Sequence, residues 1–292
     1  MVPDLTLIHC HEDPELFREA VNFTAAVSGF PARLIEKDYF CTVLLRYLTE
    51  VRDEIVFKGG TCLAKVHAGF YRLSEDLDFE IPTPVDAPRA VRSRRAAASN
   101  AAIKNLGQLL PGLRVIVPPR GANDSSQYLA IIGYTSLLVA REETIKIEVG
   151  LREPLLKPAN RAEARTLILD PITGAPLVPP FPLRCLSLEE AMAEKLRAAL
   201  SRREAAIRDF YDVDYAVRRL GLRAQDPELT GLVRKKLGVP GNDPVDVSAA
   251  RLAVLRRQID AQLKPVLRDR DLAEFDLERA FAAVAELAAR VK

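Results

Sequence analysis

The spacing of hydrophobic residues changes along the chain, and this change separates predicted helices from predicted strands. Over 12–28 and 31–51 apolar residues recur at the helical period, and Pro31 stands where a helix begins. Between residues 54 and 151 the apolar runs are shorter, and several alternate with polar positions as in a half-buried strand. We predict strands over 54–57, 76–81, 114–117, 127–136 and 144–151, with helices over 61–70 and 88–110.

The pattern of the remaining residues is different. Prolines are frequent from Pro154 to Pro182, which favours a linker or an arm on the surface. Ser187-Leu-Glu-Glu190 is a capping box, and it predicts that a helix begins there. Most of the chain beyond it has helical patterning. We therefore expect an α/β (α+β) domain with a mixed sheet over residues 1–153, a proline-rich arm over 154–184 and an α-helical domain over 185–292.

The composition is that of an ordinary folded protein. The 292 residues are 48% hydrophobic and 28% charged, which argues against disorder and leaves room for two cores. No apolar run is long enough for a bilayer span, and the first residues lack the pattern of a signal peptide. The four cysteines, at positions 10, 41, 62 and 185, have no CxxC pair and no disulfide-like spacing. We expect a cytoplasmic protein with reduced thiols and no membrane partner.

Charge is distributed unevenly although the net charge is only +2. No acidic residue occurs between Asp86 and Asp124. Such a segment could contact a polyphosphate or an RNA backbone, or it could be a solvated helix face. Its basic residues are Arg89, Arg92, Arg94, Arg95, Lys104, Arg114 and Arg120.

The segment from Phe57 to Ile81 carries the strongest chemical signal. Asp76 and Asp78 alternate on a predicted strand, so both carboxylates should lie on one face. Two neighbouring acids need a compensating charge, and a hard divalent cation is the usual one. Gly59-Gly60-Thr61 opens a predicted helix, where backbone N–H groups can meet an anion. The pattern indicates a metal-and-phosphate site, as for a nucleotide.

Further polar residues extend this interpretation, since Asp-x-Asp alone is a weak signal. Glu148 lies on a later predicted strand beside Lys146 and could supply a third carboxylate. In the helical half, Asp209 and Asp212 are three residues apart and share a helix face. Lys195 precedes them on another predicted helix.

Taken together, the motifs resemble those of the AbiEii/AbiGii family of nucleotidyltransferase toxins, within the DNA polymerase beta-like nucleotidyltransferase superfamily. They occur in the order that the family has and extend over about residues 36–215. The matching segments are Glu36-Lys-Asp-Tyr39, Lys58-Gly-Gly-Thr61, Arg72-Leu-Ser-Glu-Asp-Leu-Asp-Phe79, Lys146-Ile-Glu148, Glu194-Lys-Leu-Arg-Ala198 and Arg208-Asp-Phe-Tyr-Asp212.

The resemblance implies a role for each matched residue. Asp76, Asp78 and Glu148 are the expected metal ligands, although the family usually has aspartate at the position of Glu148. The resemblance places Asp76, Asp78, Lys195 and Asp209 in catalysis, with Lys195 contacting nucleotide phosphate. The residues expected to bind the nucleotide are Gly59, Gly60, Thr61, Ser74, Lys146, Arg208 and Asp212, with Arg208 in place of the family's usual lysine.

The resemblance also implies a reaction. The expected enzyme is a Mg²⁺-dependent nucleotidyltransferase, with Mn²⁺ as an alternative, that transfers NMP from an NTP to RNA. The expected acceptor is the 3′ end of tRNA, so that aminoacylation and growth stop. The protein would be the toxin of a toxin–antitoxin or phage-defence pair. Two alternatives stay open: an Asp-x-Asp metal-dependent glycosyltransferase, and a nucleotide- or RNA-binding module with a degenerate catalytic site.

Several of these residues have a purely structural interpretation as well. The Ser74 hydroxyl should face the metal site, where a cognate antitoxin could phosphorylate it; the alternative is a plain hydrogen bond. Asp209 could simply pair with Lys195 or Arg208. The remaining structural interpretations make Lys58 and Arg72 counter-charges of the acidic pocket, and Tyr39 and Phe79 core residues.

Overall fold

The computed structural model describes residues 9–291, and it divides them into two compact units. The first unit contains the described residues up to Leu155 together with Ala159–Leu186. The second contains Leu156–Pro158 and the described residues from Ser187 onward. The start of the chain, on which the prediction that there is no signal peptide rests, lies outside the described residues.

The first unit is built on one mixed sheet of seven strands, as the α/β prediction requires. The strand order is β3-β4-β5-β2-β1-β7-β6. β2 is parallel to β5 and β1 is parallel to β7, and the other neighbours are antiparallel. The strands are β1 (Val56–Lys58), β2 (Leu77–Glu80), β3 (Leu113–Ala122), β4 (Gln127–Thr135), β5 (Glu142–Gly150), β6 (Asn160–Ala164) and β7 (Phe181–Cys185).

Within the described residues of this unit, four α-helices accompany the sheet: α1 (Pro14–Ser28), α2 (Ala32–Val51), α3 (Gly59–Cys62) and α4 (Arg89–Asn105). A π-helix, Leu63–His67, continues α3, and single 3-10 turns lie at Cys10–Glu12 and Leu106–Gln108. The side chain of Asp13 caps α1 at its first turn. The predicted helices over 12–28 and 31–51 correspond to α1 and α2.

Helix α2 is buried on most of its surface, with charged as well as apolar side chains inside the unit. Tyr39 on α2 is fully buried, and so is Phe79 of β2, so their interpretation as core residues is correct. A buried ion pair joins α2 to the π-helix: Lys65 Nζ lies 2.7 Å from Asp38 Oδ1. Lys65 also donates to the Thr42 hydroxyl over 2.7 Å.

The expected arm over 154–184 is replaced by structure that belongs to the sheet. β6 and β7 pair antiparallel across that segment, and β7 joins β1 at Phe57↔Cys185. Phe181 and Leu183 alternate inward with Cys185, which is why so short a run forms a strand. Pro182, which has no backbone N–H to donate, is tolerated because β7 pairs with β1 at Cys185, at the other end of the strand.

The second unit is helical, as expected. Ser187 accepts a hydrogen bond from the Glu190 backbone N–H, which confirms the predicted helix start. Two short turns follow α8, a π-helix at Ile259–Leu263 and a 3-10 turn at Lys264–Val266. The α-helices are α5 (Leu188–Ser201), α6 (Ile207–Arg219), α7 (Pro227–Leu237), α8 (Ala249–Gln258), α9 (Asp269–Glu274) and α10 (Leu277–Val291).

A buried lysine anchors α7 to α5 within this unit. Lys236 Nζ lies 2.7 Å from Glu190 Oε1 and 3.3 Å from Glu194 Oε1.

Among residues 9–291, no helix combines the length and the apolar character that a bilayer span needs.

Candidate active site

Strand register brings two of the predicted carboxylates together. Asp78 of β2 and Glu148 of β5 are direct partners in the parallel pairing of these strands. Lys58 of β1 is the partner of Asp78 on its other side. Because directly opposed residues project to the same face of a sheet, the three side chains share one face. Asp76 lies just before β2, two residues from Asp78.

A lysine lies between the acids. Lys146 Nζ is 3.6 Å from Asp76 Oδ2 and 3.8 Å from Glu148 Oε2. Lys146 and Asp76 are both partly exposed, so these long ion pairs are weak and open to rearrangement. In this structure the ammonium therefore supplies part of the positive charge that the acids require.

The charge on Asp78 remains poorly compensated. Desolvation and the neighbouring Glu148 carboxylate together raise the pKa of Asp78 to about 6, against the opposing effect of Lys146 and Lys58. A carboxyl group that is held against other acids in this way is a favourable ligand for a cation.

These acids fit a hard divalent cation by donor type and by charge. Asp76, Asp78 and Glu148 offer carboxylate oxygens, which Mg²⁺ and Mn²⁺ prefer. The oxygens of these three acids are not all within 4.8 Å of one another. Among residues 9–291, the one group of three His, Cys, Asp or Glu side chains that meets this distance lies elsewhere in the unit. A cation bound by these acids would compete with Lys146, whose ammonium lies 3.6 Å from Asp76 and 3.8 Å from Glu148.

The glycine turn borders the same carboxylate. Gly59 has φ +78°, a left-handed conformation that favours glycine, and a Cβ there would overlap Asp78 Oδ2. A Cβ on Gly60 would lie 2.6 Å from Arg72 Nη2 and 3.0 Å from Ser74 Oγ. Gly59 therefore requires glycine, and a larger residue at Gly60 would displace Arg72 or Ser74.

Thr61 and Ser74 have different surroundings. The buried Thr61 hydroxyl donates to the backbone carbonyl of Asp76 over 2.5 Å, so it holds the chain that carries the acids. Ser74 is partly exposed and lies beside Gly60. Of the two hydroxyls, only that of Ser74 is placed where solvent or a ligand reaches it.

Lys58 and Arg72, which the sequence suggested as counter-charges of the acidic pocket, have contacts beyond the predicted metal ligands. Lys58 Nζ lies 2.6 Å from Oε2 of the buried Glu80, at the other end of β2. Arg72 is buried and donates to the Leu73 carbonyl over 3.1 Å. Sequence reasoning missed Glu80, because its pairing with Lys58 depends on the register of β1 against β2.

The second unit contains the other predicted residues. Lys195 Nζ on α5 lies 3.2 Å from Asp209 Oδ1 and 2.9 Å from Asp212 Oδ2, both on α6. The two acids are buried and share a helix face, as their spacing predicts. Arg202 Nη1, which the sequence did not single out, lies 3.0 Å from Asp209 Oδ2. Arg208 is partly exposed.

The predicted residues thus form two groups. Lys195, Asp209 and Asp212 form an ion-pair cluster in the second unit, where Arg208 also lies. The first unit contains Gly59, Gly60, Thr61, Ser74, Asp76, Asp78, Lys146 and Glu148.

Comparison with known proteins decides the family. A sequence model of the nucleotidyl transferase AbiEii toxin family, of type IV toxin–antitoxin systems, matches residues 43–286. The chain belongs to this family. The resemblance drawn from the motifs is confirmed, and the protein is a nucleotidyltransferase. A search of curated proteins gave no match.

Two crystal structures from Helicobacter pylori are similar to the chain. One is described as a candidate nucleotidyltransferase, with 17% identity, a TM-score of 0.45, and coverage of 85% of this chain and 91% of that chain. The other is the protein JHP933, with 17% identity, a TM-score of 0.45, and coverage of 87% and 91%. At this identity and TM-score the similarity does not support a fold assignment, so the fold class rests on the sheet and helices described above.

Proposed function

We propose that this AbiEii family member is the toxin of a toxin–antitoxin pair and transfers NMP from an NTP to RNA in a reaction that depends on Mg²⁺ or Mn²⁺. The observation that carries the proposal is the pairing of Asp78 with Glu148 on adjacent strands, directly beside the Gly59-Gly60 turn. The family itself implies a nucleotide substrate and an antitoxin partner.

We assign the cation to the three carboxylates of the first unit. Asp76, Asp78 and Glu148 would hold it, and the bound cation would offset the charge of the triphosphate and polarise its α-phosphate. With a pKa of about 6, the carboxyl group of Asp78 is largely ionised at neutral pH and can bind a cation as a carboxylate.

The glycine turn and Lys146 would bind the phosphates. With little side-chain bulk, Gly59 and Gly60 allow close approach of a phosphate to the backbone N–H groups of the turn. Lys146 makes only long ion pairs with Asp76 and Glu148, so its ammonium can move towards a phosphate oxygen when the acids gain another partner.

The transfer step joins the acceptor hydroxyl oxygen to the α-phosphorus and releases pyrophosphate. The proton of the hydroxyl must leave as the bond forms. Glu148 is suited to accept or orient it because, as a glutamate, its carboxylate reaches one methylene farther from β5 than an aspartate would.

The ion-pair cluster of the second unit would position its lysine. The family motif assigns Lys195 to phosphate contact, and Asp209 and Asp212 hold its ammonium at 3.2 and 2.9 Å. Two buried acids within ion-pair distance leave Lys195 few alternative rotamers, which favours a fixed electrostatic contact. In this proposal Asp209 acts on activity through Lys195.

The proposed acceptor is RNA, with the 3′ end of tRNA as the expected site. Helix α4 presents exposed Arg89 and Arg94, whereas Arg92 and Arg95 donate to the Val85 and Pro82 carbonyls. Exposed arginines without an acid on their own helix attract a phosphate backbone. Extension of the tRNA 3′ end in the cytoplasm would block aminoacylation and stop growth, which suits phage defence.

The antitoxin is proposed to act at Ser74. The Ser74 hydroxyl is partly exposed beside Gly60, so a phosphoryl group there would add two negative charges to the proposed phosphate site. Mass spectrometry of the protein after co-expression with its antitoxin tests this. An inactive enzyme with unmodified Ser74 would contradict it.

The experiment that tests the proposed function offers the purified protein several donors. Each α-phosphate-labelled NTP, or a labelled nucleotide sugar, is incubated with total tRNA and Mg²⁺ or Mn²⁺. Label from the α-phosphate in RNA supports the proposal. Transfer of sugar instead would establish an Asp-x-Asp glycosyltransferase, and tight binding without turnover would establish a binding module; either result contradicts the proposal.

A further inference from the structure

Three side chains with metal-binding atoms meet in the first unit, apart from the carboxylates of the candidate active site. They are Cys62, the last residue of α3, His67, the last residue of the π-helix, and Cys185, the last residue of β7. Their two sulfurs and a ring nitrogen all lie within 4.8 Å of one another. Both cysteines are fully buried and His67 is partly exposed.

The fold brings these residues together by strand register and by the π-helix. Cys185 is the parallel-strand partner of Phe57, so β7 ends beside the strand that leads into the glycine turn. The π-helix widens the turn after Cys62, and such segments occur often at functional sites. The buried Lys65–Asp38 ion pair of 2.7 Å fixes this π-helix against α2. The three side chains therefore lie on well-anchored backbone.

One ring nitrogen of His67 has a backbone partner. Its Nε2 lies 3.0 Å from the carbonyl oxygen of Leu186. A carbonyl can only accept, so Nε2 carries a proton, and in the neutral ring the lone pair is on Nδ1. Metal-bound histidines usually have this arrangement, in which the second ring nitrogen donates to a carbonyl or a carboxylate.

The thiols differ from the other cysteines of the chain. Cys62 and Cys185 bring two sulfurs to one histidine, whereas Cys10 and Cys41 lie outside this group. Thiolates bind soft and borderline cations, whereas a buried, protonated thiol is inert.

We propose that Cys62, His67 and Cys185 bind a thiophilic cation of the Zn²⁺ type, with two sulfurs and one imidazole nitrogen as protein ligands and a fourth position open to water. Such an ion would fasten the end of α3 to β7 and thereby hold the Gly59–Cys62 segment beside Asp78. The site is distinct from the proposed catalytic one, which offers only oxygen ligands.

Cobalt is the probe that separates the two sites. The full-length protein is reduced, freed of metal with a chelator and titrated with Co²⁺. Thiolate-to-cobalt charge-transfer absorption should grow to one equivalent and disappear when Zn²⁺ is added. Asp76, Asp78 and Glu148 cannot produce this absorption because they have no sulfur.

Variants assign the ligands. We expect Cys62→Ser and Cys185→Ser to lose the charge-transfer band, and His67→Gln to weaken Co²⁺ binding at least about tenfold. Cys41→Ser is the matched control, since Cys41 is equally buried and lies outside the cluster; it should keep the wild-type band. Circular dichroism verifies that each variant is folded.

Three results would overturn the proposal. One is the absence of a charge-transfer band in the reduced wild-type protein. This result counts in the same way if the protein is purified with a Cys62–Cys185 disulfide and still binds no cobalt after reduction. Another is a band that persists in both serine variants. If these variants do not fold, the partly exposed His67 decides, and wild-type affinity for cobalt in folded His67→Gln overturns the assignment.

Discussion

At the scale of single residues, the sequence contains the identity of the acids but not their partners. Asp76 and Asp78 stand out because strand alternation puts them on one face, and Glu148 stands out beside Lys146. The contacts of Lys58 with Glu80 and of Arg202 with Asp209 depend on register and on helix packing. The same limit hid the Cys62–His67–Cys185 cluster, since its members are far apart along the chain and have no motif spacing.

The raised pKa of Asp78 predicts how stability depends on pH. Between about pH 4 and about pH 6 the folded protein holds a proton that the unfolded chain has lost, so the free energy of unfolding falls as pH rises. Above this window, without divalent cations, Asp78→Asn should be more stable than the wild type by about 1–3 kcal/mol. Urea unfolding at about pH 4 and pH 7.5 measures the difference.

A control variant and the addition of divalent cations test whether the pH dependence of stability comes from Asp78. Asp124→Asn, at an exposed turn residue, should leave the pH dependence unchanged. Mg²⁺ or Mn²⁺ should stabilise the wild type and have less effect on Asp78→Asn. A wild type that gains stability from pH 4 to 6 relative to Asp78→Asn would refute the account of this carboxyl group.

Gly59 gives a second prediction at this scale. Gly59→Ala would strain the left-handed backbone and press its Cβ against Asp78, so we expect a loss of about 1–3 kcal/mol of stability and nearly all transfer activity. Gly231→Ala is the opposite case, because no atom lies within 4 Å of its Cβ position in α7. It should stabilise the protein by about 0.5–1 kcal/mol and leave activity unchanged. Equal effects of the two changes would contradict the close approach at Gly59.

At the scale of elements, helical periodicity was the reliable guide and proline was the misleading one. α1, α2 and α5 begin within about two residues of their predicted starts. The prolines of 154–184 favour an arm, and the alternation of Phe181, Leu183 and Cys185 is too short to indicate a strand by itself. The sequence therefore does not predict β6 and β7. β3 extends past its predicted end because register shifts accommodate Pro118 and Pro119.

The pairing of α5 with α6 is testable by a mutant cycle. Lys195→Ala leaves two buried carboxylates short of a cation, and it should cost about 3–5 kcal/mol of stability. Adding Asp209→Asn and Asp212→Asn removes those charges and should recover part of the loss. Thermal and urea unfolding give the values. Strictly additive losses would mean that the three residues do not interact.

At the scale of the whole molecule, the match over residues 43–286 fixes the family, and surface charge bears on the proposed binding of RNA. Arg89→Glu with Arg94→Glu should weaken RNA binding and reduce its dependence on salt by about one ion per arginine, without a change in stability. Arg270→Glu, at an exposed position in α9, is the matched control. Filter binding over a range of salt concentrations measures both slopes; equal slopes for the variant and the wild type would exclude α4 from the RNA surface.

The central claim is that the carboxylates beside the glycine turn carry out nucleotidyl transfer to RNA. The most direct test follows label from the α-phosphate of an NTP into tRNA with wild-type protein, Asp76→Ala and Asp86→Ala, the last at an exposed turn residue. We predict transfer by the wild type and by Asp86→Ala, and none by a folded Asp76→Ala, because that change removes charge from the proposed metal site and no core packing. Near-full transfer by Asp76→Ala would contradict the account.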